Sequence, residues 1–134
     1  GLVPYSKQPK ILRNWLDKCF KVLTPYILNK KLKVHGFGVG NPELMKRYPF
    51  YSCDSTSYLS GGMFGTLYKW DSQHYKMVSG FHYSERNNML NYNISIDTLE
   101  GHQGRLEHNI KEFLAMEKSI TYLWKQKGIE WVDN

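Results

Sequence analysis

Two short segments of the chain carry residues whose types and spacing suit chemistry. The first is 35–44, HGFGVGNPEL, in which glycines alternate with larger residues. The second is 50–58, FYSCDSTSY, in which Asp54 follows a compact apolar run and precedes Ser55, Thr56 and Ser57. Glycines at the end of a strand let a flat ligand approach the backbone closely. A carboxylate held there by neighbouring donors can act as a nucleophile or a base.

Asp54 has an alternative role as the N-cap of the helix that follows. Aspartate is favoured at helix N-caps because its carboxylate accepts hydrogen bonds from free backbone N–H groups. Position alone does not separate the two roles. Nucleotide-cofactor binding is set aside, because the glycine spacing is not GxxxxGK[ST], and the acid that follows a Rossmann fingerprint by about 20 residues would have to be Asp54, itself at a strand end.

The elements predicted around these segments place them at one edge of a sheet. A strand over 33–40 ends in glycines, and Asn41-Pro42-Glu43 supplies an N-cap, a first-turn proline and an early acid for a short helix that ends before Pro49. A buried strand over 50–53 completes a βαβ unit with a very short crossover. Ligands of parallel α/β folds bind at the carboxyl ends of the strands, where the glycines and Asp54 both lie.

Apolar periodicity predicts a long helix near each end of the sequence. The first covers about 8–23 and is stopped by Pro25, and the last covers about 106–126, with Gly128 as its C-terminal stop. Further predicted segments are strands over 64–70 and 75–81 about the turn 71–74, and mostly loop over 84–104.

Length, composition and charge limit the classes of protein to which this chain can belong. The 134 residues fit one domain, and 41% hydrophobic and 15% aromatic residues exclude a disordered chain. The formal net charge of +6 is spread along the sequence. Such a balance suits a polyanionic partner, because phosphates neutralised by lysine or arginine release their counterions. A basic solvated surface fits the charge equally well.

Cysteine usage and the lack of long apolar runs predict where the protein works. Two lone cysteines, Cys19 and Cys53, do not make a disulfide framework, which indicates a reducing compartment. No apolar run approaches the roughly 20 residues of a membrane span. The five histidines lack metal-ligand spacing. We therefore expect a soluble, cytoplasmic protein with no membrane partner and no bound metal.

The segments 35–44 and 50–58 resemble the tRNA-guanine transglycosylase family. In that family a strand ending in Gly-Val-Gly leads into a Pro-Glu-led helix and then into a strand whose end carries the nucleophilic aspartate. The sequence of these two segments is more similar still to phage-encoded relatives of the family, including those thought to place deazaguanines into DNA. The match covers about residues 33–65. By this resemblance Asp54 is the nucleophile, and Phe37 lies where a side chain packs on the bound base.

The resemblance implies a fold, an activity and partners. The fold would be α/β, the C-terminal portion of a TIM (β/α)8-type barrel, with parallel strands and flanking helices in a single domain over 1–134. The activity would be that of a pentosyltransferase that replaces guanine in DNA or RNA by a 7-deazaguanine-type base, with no cofactor. A partner chain carrying the N-terminal half of the barrel would complete the site. If a phage encodes the chain, the host-cell cytoplasm is its location.

The predicted site has Asp54 as its catalytic residue and seven substrate-binding residues: His35, Gly36, Phe37, Gly38, Gly40, Ser55 and Ser57. The sequence departs from the family pattern in two places. The segment 59–65, LSGGMFG, replaces the arginine-bearing segment that holds RNA, and the CxCxxC zinc motif is missing. Two other functions therefore stay open: a non-catalytic nucleic-acid-binding or assembly module, and a nucleoside (N-glycosyl) hydrolase that uses Asp54 on a freed sugar.

Overall fold

The computed structural model describes residues 8–81 and 101–131, and within them the chain forms four helices and four strands. In chain order these are α1 (Pro9–Leu28), β1 (His35–Gly36), α2 (Pro42–Arg47), β2 (Ser52–Cys53), α3 (Ser57–Met63), β3 (Thr66–Asp71), β4 (Lys76–Phe81) and α4 (His102–Gln126). Most of the loop predicted over 84–104 lies outside the described residues, and its last three positions belong to α4. Within the described ranges, no helix has the length and apolar character to cross a membrane.

The strand pairing corrects the barrel prediction. β1 and β2 form one short parallel pair, whereas β3 and β4 form a separate antiparallel pair. A TIM barrel requires parallel strands side by side in one sheet. The connection between β3 and β4 is the short turn 72–75, and so short a link can join only antiparallel neighbours. The half-barrel prediction is therefore wrong, and the expected partner chain that would complete the barrel loses its basis.

The first helix also differs from its prediction, because it continues through Pro25 to Leu28. A proline inside a helix loses one backbone hydrogen bond and costs about 3 kcal/mol. Two contacts keep the last turn helical: the buried side chain of Ile27 packs in the core, and the Thr24 hydroxyl donates to the Phe20 carbonyl at 2.6 Å. Burial of an apolar side chain stabilises by roughly 1.5–3 kcal/mol, which offsets most of the loss at Pro25.

An aromatic cluster fixes the βαβ unit against α1. The ring of Phe20 stacks on Tyr48, and it meets Phe50 edge-on, with both centroid distances at 5.0 Å. Arg47 donates two hydrogen bonds to the Asp17 carboxylate, at 2.9 and 3.0 Å, and this guanidinium lowers the pKa of Asp17. Because these residues lie between β1 and β2 or on α1, they hold the short crossover in place.

The edge of β3 that faces away from β4 forms hydrogen bonds with side chains of α4, in the place that a third strand would occupy. Asn109 accepts a hydrogen bond from the Tyr68 N–H at 3.0 Å and donates to the Thr66 carbonyl at 3.0 Å. Glu112 accepts from the Trp70 N–H at 2.8 Å. Unpaired backbone N–H and C=O groups at a buried strand edge are costly. Asn109 and Glu112 therefore supply hydrogen-bond partners for the backbone of β3 and attach the hairpin to α4.

Replacing Asn109 by alanine should lower the free energy of unfolding by about 2–4 kcal/mol, because buried groups of β3 lose their partner and each such loss costs about 1–3 kcal/mol. Asn109 is 0% exposed, so water cannot replace the amide without rearrangement. Urea denaturation followed by circular dichroism measures the change. Lys111→Ala, at an exposed position of the same helix, should shift stability by less than about 0.5 kcal/mol. Equal effects of the two substitutions would contradict the role of Asn109.

Candidate functional site

Asp54 lies immediately after β2, at the carboxyl end of the parallel pair. The pairing sets Gly36 opposite Cys53, and the Asp54 N–H extends it by donating to the Gly36 carbonyl at 3.3 Å. One carboxylate oxygen of Asp54 accepts a hydrogen bond from the backbone N–H of Gly38. The side chain is exposed. The fold therefore brings the glycine loop and the carboxylate together at one edge.

Asp54 is not the N-cap of the following helix. α3 begins at Ser57, so its N-cap residue is Thr56, and no side-chain capping bond forms there within the described residues. Asp54 lies two positions too early for that role. Of the two roles that position alone leaves open, the geometry removes the cap and leaves a carboxylate oriented by one backbone donor.

The turn after β1 explains how that donor reaches Asp54. Gly38 has a φ of +71°, in the left-handed region that residues with a side chain rarely adopt. Asn41 then caps α2 by accepting from the Glu43 N–H at 2.9 Å, as its position before Pro42 predicts. The loop is thus fixed at both ends, and the direction of the Gly38 N–H is fixed with it.

Gly40 lies directly against the segment that follows Asp54. A Cβ atom at position 40 would overlap the Ser55 hydroxyl and lie 2.9 Å from the Ser55 Cβ. The hydroxyl groups of Ser55 and Ser57 are 2.8 Å apart, and the Ser57 N–H donates to the Ser55 hydroxyl at 3.2 Å. The two serines therefore stabilise the turn between β2 and α3, and Ser55 of that turn lies against Gly40.

Gly40→Ala should lower the free energy of unfolding by about 1–3 kcal/mol, because the new methyl group overlaps Ser55. Ser55→Gly removes the overlapping atoms, so the double variant should be more stable than the sum of the two single losses predicts. Urea denaturation of the four proteins gives the coupling energy. Strictly additive losses would show that the two loops are farther apart than the structure places them.

A groove of about 550 Å³ opens beside Asp54. Gly40, Asp54 and Ser55 belong to its lining, together with Tyr51 to Cys53 and Tyr58. Small-molecule sites typically occupy 300–1,000 Å³ and combine apolar walls with a few polar groups, which describes this groove. The rest of the lining is Val39, Met45 and Phe50 together with one face of α4, which contributes Ile110, Phe113, Leu114, Met116, Glu117, Ile120 and Thr121.

Five of the eight predicted residues are not among those that line this groove: His35, Gly36, Phe37, Gly38 and Ser57. His35 is exposed, and its Nδ1 lies 2.9 Å from the Ser52 hydroxyl. Phe37 is 80% exposed. Gly36 is buried, and a Cβ there would lie 3.0 Å from the Cys53 sulfur. The missing side chain of Gly36 therefore allows close packing between the strands and leaves no opening for a ligand.

The sequence did not point to the α4 wall as part of the site. Its apolar repeat is typical of a core-facing stripe, and the buried Met116 and Ile120 fit that interpretation. Ile110 and Leu114 on the same helix are 38% and 49% exposed, because the described residues cover only part of the stripe. An apolar repeat locates such a face but does not tell which portion stays uncovered.

Cys53 also lines the groove, but it is a poor nucleophile. Burial raises the pKa of the Cys53 thiol to about 11. The thiolate is the reactive form, so the thiol is almost entirely unreactive near neutral pH. Among the described residues, no group of three or more His, Cys, Asp or Glu side chains is placed to hold a metal ion.

Comparison with known proteins gives no relative for this chain. The chain matches no protein-family model, no curated protein and no solved structure. The resemblance to the tRNA-guanine transglycosylases therefore rests on the residues of 33–65 alone. A fold does not by itself imply an activity, so the function depends on the residues of the site.

Proposed function

We propose that the chain is a base-exchange glycosyltransferase that acts on guanine in nucleic acid, with Asp54 as its nucleophile. The observation that carries the proposal is the exposed Asp54 carboxylate, which one backbone N–H orients beside a largely apolar groove. The register of Asp54 within FYSCDSTSY, which resembles that of the transglycosylase nucleophile, supports the same role.

The proposed reaction requires that one carboxylate oxygen of Asp54 is held in position and that the other is free to attack the substrate. The Gly38 N–H binds Oδ1 of Asp54, which leaves Oδ2 to attack C1′ of the guanine nucleotide. The C1′–N9 bond breaks, guanine departs, and C1′ becomes bonded to Asp54. A 7-deazaguanine-type base then attacks C1′ from the face that guanine left and releases the carboxylate. The two displacements exchange one base for another without a cofactor.

The walls of the groove suit a flat base. Tyr51, Tyr58 and Phe113 all line it, and the rings of Tyr58 and Phe113 lie 6.0 Å apart. Aromatic side chains bind any base through its π-face, and such stacking is worth about 1–3 kcal/mol per base.

Exposed lysines, one of them beside the groove, suit the phosphates of a nucleic acid. Lys30, Lys31 and Lys33 are exposed in the segment that leads from α1 into β1. The Lys33 ammonium lies 4.4 Å from the centroid of the Tyr51 ring, which lines the groove. Together with the net charge of +6, this placement favours a polynucleotide over a free nucleoside.

The test is incubation of the protein with DNA or RNA that carries radiolabelled guanine, in an excess of unlabelled 7-deazaguanine. Base exchange predicts that labelled guanine is released and that an equal amount of the incoming base enters the strand. Guanine release that leaves abasic sites would identify an N-glycosyl hydrolase. Tight binding of nucleic acid without any release would identify a non-catalytic module. Either of these two results would overturn the proposal.

A further inference from the structure

The groove beside Asp54 contains a second carboxylate, Glu117, on the α4 wall. Glu117 is exposed, and it lies one helical turn from both Phe113 and Thr121, which line the groove with it. Among the lining residues that the structure describes, Asp54 and Glu117 are the only carboxylates, and lysine, arginine and histidine are absent. The groove therefore offers one acid besides the nucleophile.

The proposed reaction requires such an acid. Guanine leaves as an anion unless a ring nitrogen is protonated as the bond to C1′ breaks, and the incoming base must lose its N9 proton. Asp54 is bonded to C1′ between these events. The Cys53 thiol, with its pKa raised to about 11, is too weak an acid to serve. The side chain of Glu117 makes no hydrogen bond or ion pair with the described part of the chain, so its carboxyl is available to a ligand.

We propose, resting on the proposed function, that Glu117 is the proton-transferring group of this groove. In the first step Asp54 attacks C1′, the electron pair of the C1′–N9 bond passes to guanine, and a guanine ring nitrogen takes the proton of Glu117. In the second step the Glu117 carboxylate accepts the N9 proton of the incoming base as N9 attacks C1′ and the bond to Asp54 breaks. The proton balance is closed, and both groups return to their starting forms.

Two carboxyl groups with divided roles are the usual arrangement in glycosyl transfer through a covalent intermediate. Asp54 comes from the end of β2 and Glu117 from α4, so each wall of the groove contributes one of the pair. A backbone N–H orients the Asp54 carboxylate, whereas the Glu117 side chain makes no hydrogen bond or ion pair with the described residues.

The experiment compares two leaving groups in the full protein. Guanine needs protonation to depart, whereas 7-methylguanine carries a positive charge in the strand and leaves without it. Glu117→Gln should slow guanine exchange by about 10²–10⁴-fold, the usual contribution of general acid and base catalysis. The same variant should form the covalent adduct from a 7-methylguanine strand at nearly the wild-type rate and accumulate it. Asp54→Asn should form no adduct from either strand. Glu107→Gln, exposed on the same helix, is the control and should exchange guanine normally.

The outcomes separate this inference from the proposed function. Guanine exchange by Glu117→Gln at the wild-type rate would overturn the role of Glu117 and leave that of Asp54 standing. An equal loss of adduct from both strands would also overturn it, because a proton donor is needed by only one of them. A wild-type protein that forms no adduct and exchanges no base would overturn both proposals.

Discussion

Asp54→Asn is expected to reduce the rate of guanine exchange by at least about 10³-fold, because removal of a covalent nucleophile abolishes most of the catalysed rate. The amide has the size of the carboxylate but does not displace a base from C1′. Initial rates of labelled-guanine release, compared between the two proteins, measure the effect. Glu107→Gln removes a carboxylate from an exposed position of α4 and should leave the rate unchanged.

The same substitution should leave the fold nearly intact. The asparagine Oδ1 still accepts the hydrogen bond from the Gly38 N–H, so the turn after β1 keeps its partner. The free energy of unfolding should change by less than about 1 kcal/mol, since one exposed hydrogen bond to a charged group becomes a neutral one. If activity and stability fell together, Asp54 would be a structural residue and the proposed function would lose its main support.

Binding to single-stranded DNA or RNA should weaken by about 10²-fold or more between about 50 and about 200 mM salt, because each neutralised phosphate releases about 0.7 of a counterion and about six are neutralised. The net charge of +6 and the exposed lysines of the segment before β1 motivate this expectation. Fluorescence anisotropy with a labelled oligonucleotide gives the dissociation constant at each salt concentration. Absence of binding at low salt would contradict a polynucleotide substrate.

A charge variant locates the surface that binds the phosphates. Substituting Lys30 and Lys31 by glutamine should reduce the slope of log Kd against log salt by about two, because each lysine that neutralises a phosphate adds roughly one to that slope. Lys76→Gln, exposed at the start of β4, is the control and should leave the slope unchanged. An equal change in both variants would show that binding is spread over the whole surface.

Local signals in the sequence predicted the local structure well. Asn41 before Pro42 predicted the start of α2, and the structure places the capping bond there. Gly128 predicted the end of α4, and its φ of +82° ends that helix. The β3–β4 hairpin and the parallel crossover were likewise confirmed. Each of these features depends on the conformations of a few neighbouring residues, which the sequence specifies directly.

Features that depend on distant residues were not predicted. The half-barrel prediction came from a resemblance over 33–65 and was applied to the rest of the chain as well. The hairpin of β3 and β4 lies beyond that segment, and its short turn requires antiparallel pairing. The length of α1 was set by packing of Ile27 and not by the local penalty at Pro25. Glu117 lines the same groove as Asp54 because α4 packs against α2 of the βαβ unit, and residues 63 positions apart carry no local signal of that arrangement.

The most direct test of Asp54 as the nucleophile is to identify the covalent intermediate. The wild-type protein is incubated with a guanine-containing oligonucleotide in the absence of an incoming base and quenched in acid. Intact-mass spectrometry should then show the protein increased by the mass of the oligonucleotide less one guanine, and peptide mapping should place the bond on Asp54. Base exchange that proceeds without this adduct, or with the adduct on another residue, would contradict the assignment of Asp54 as the nucleophile.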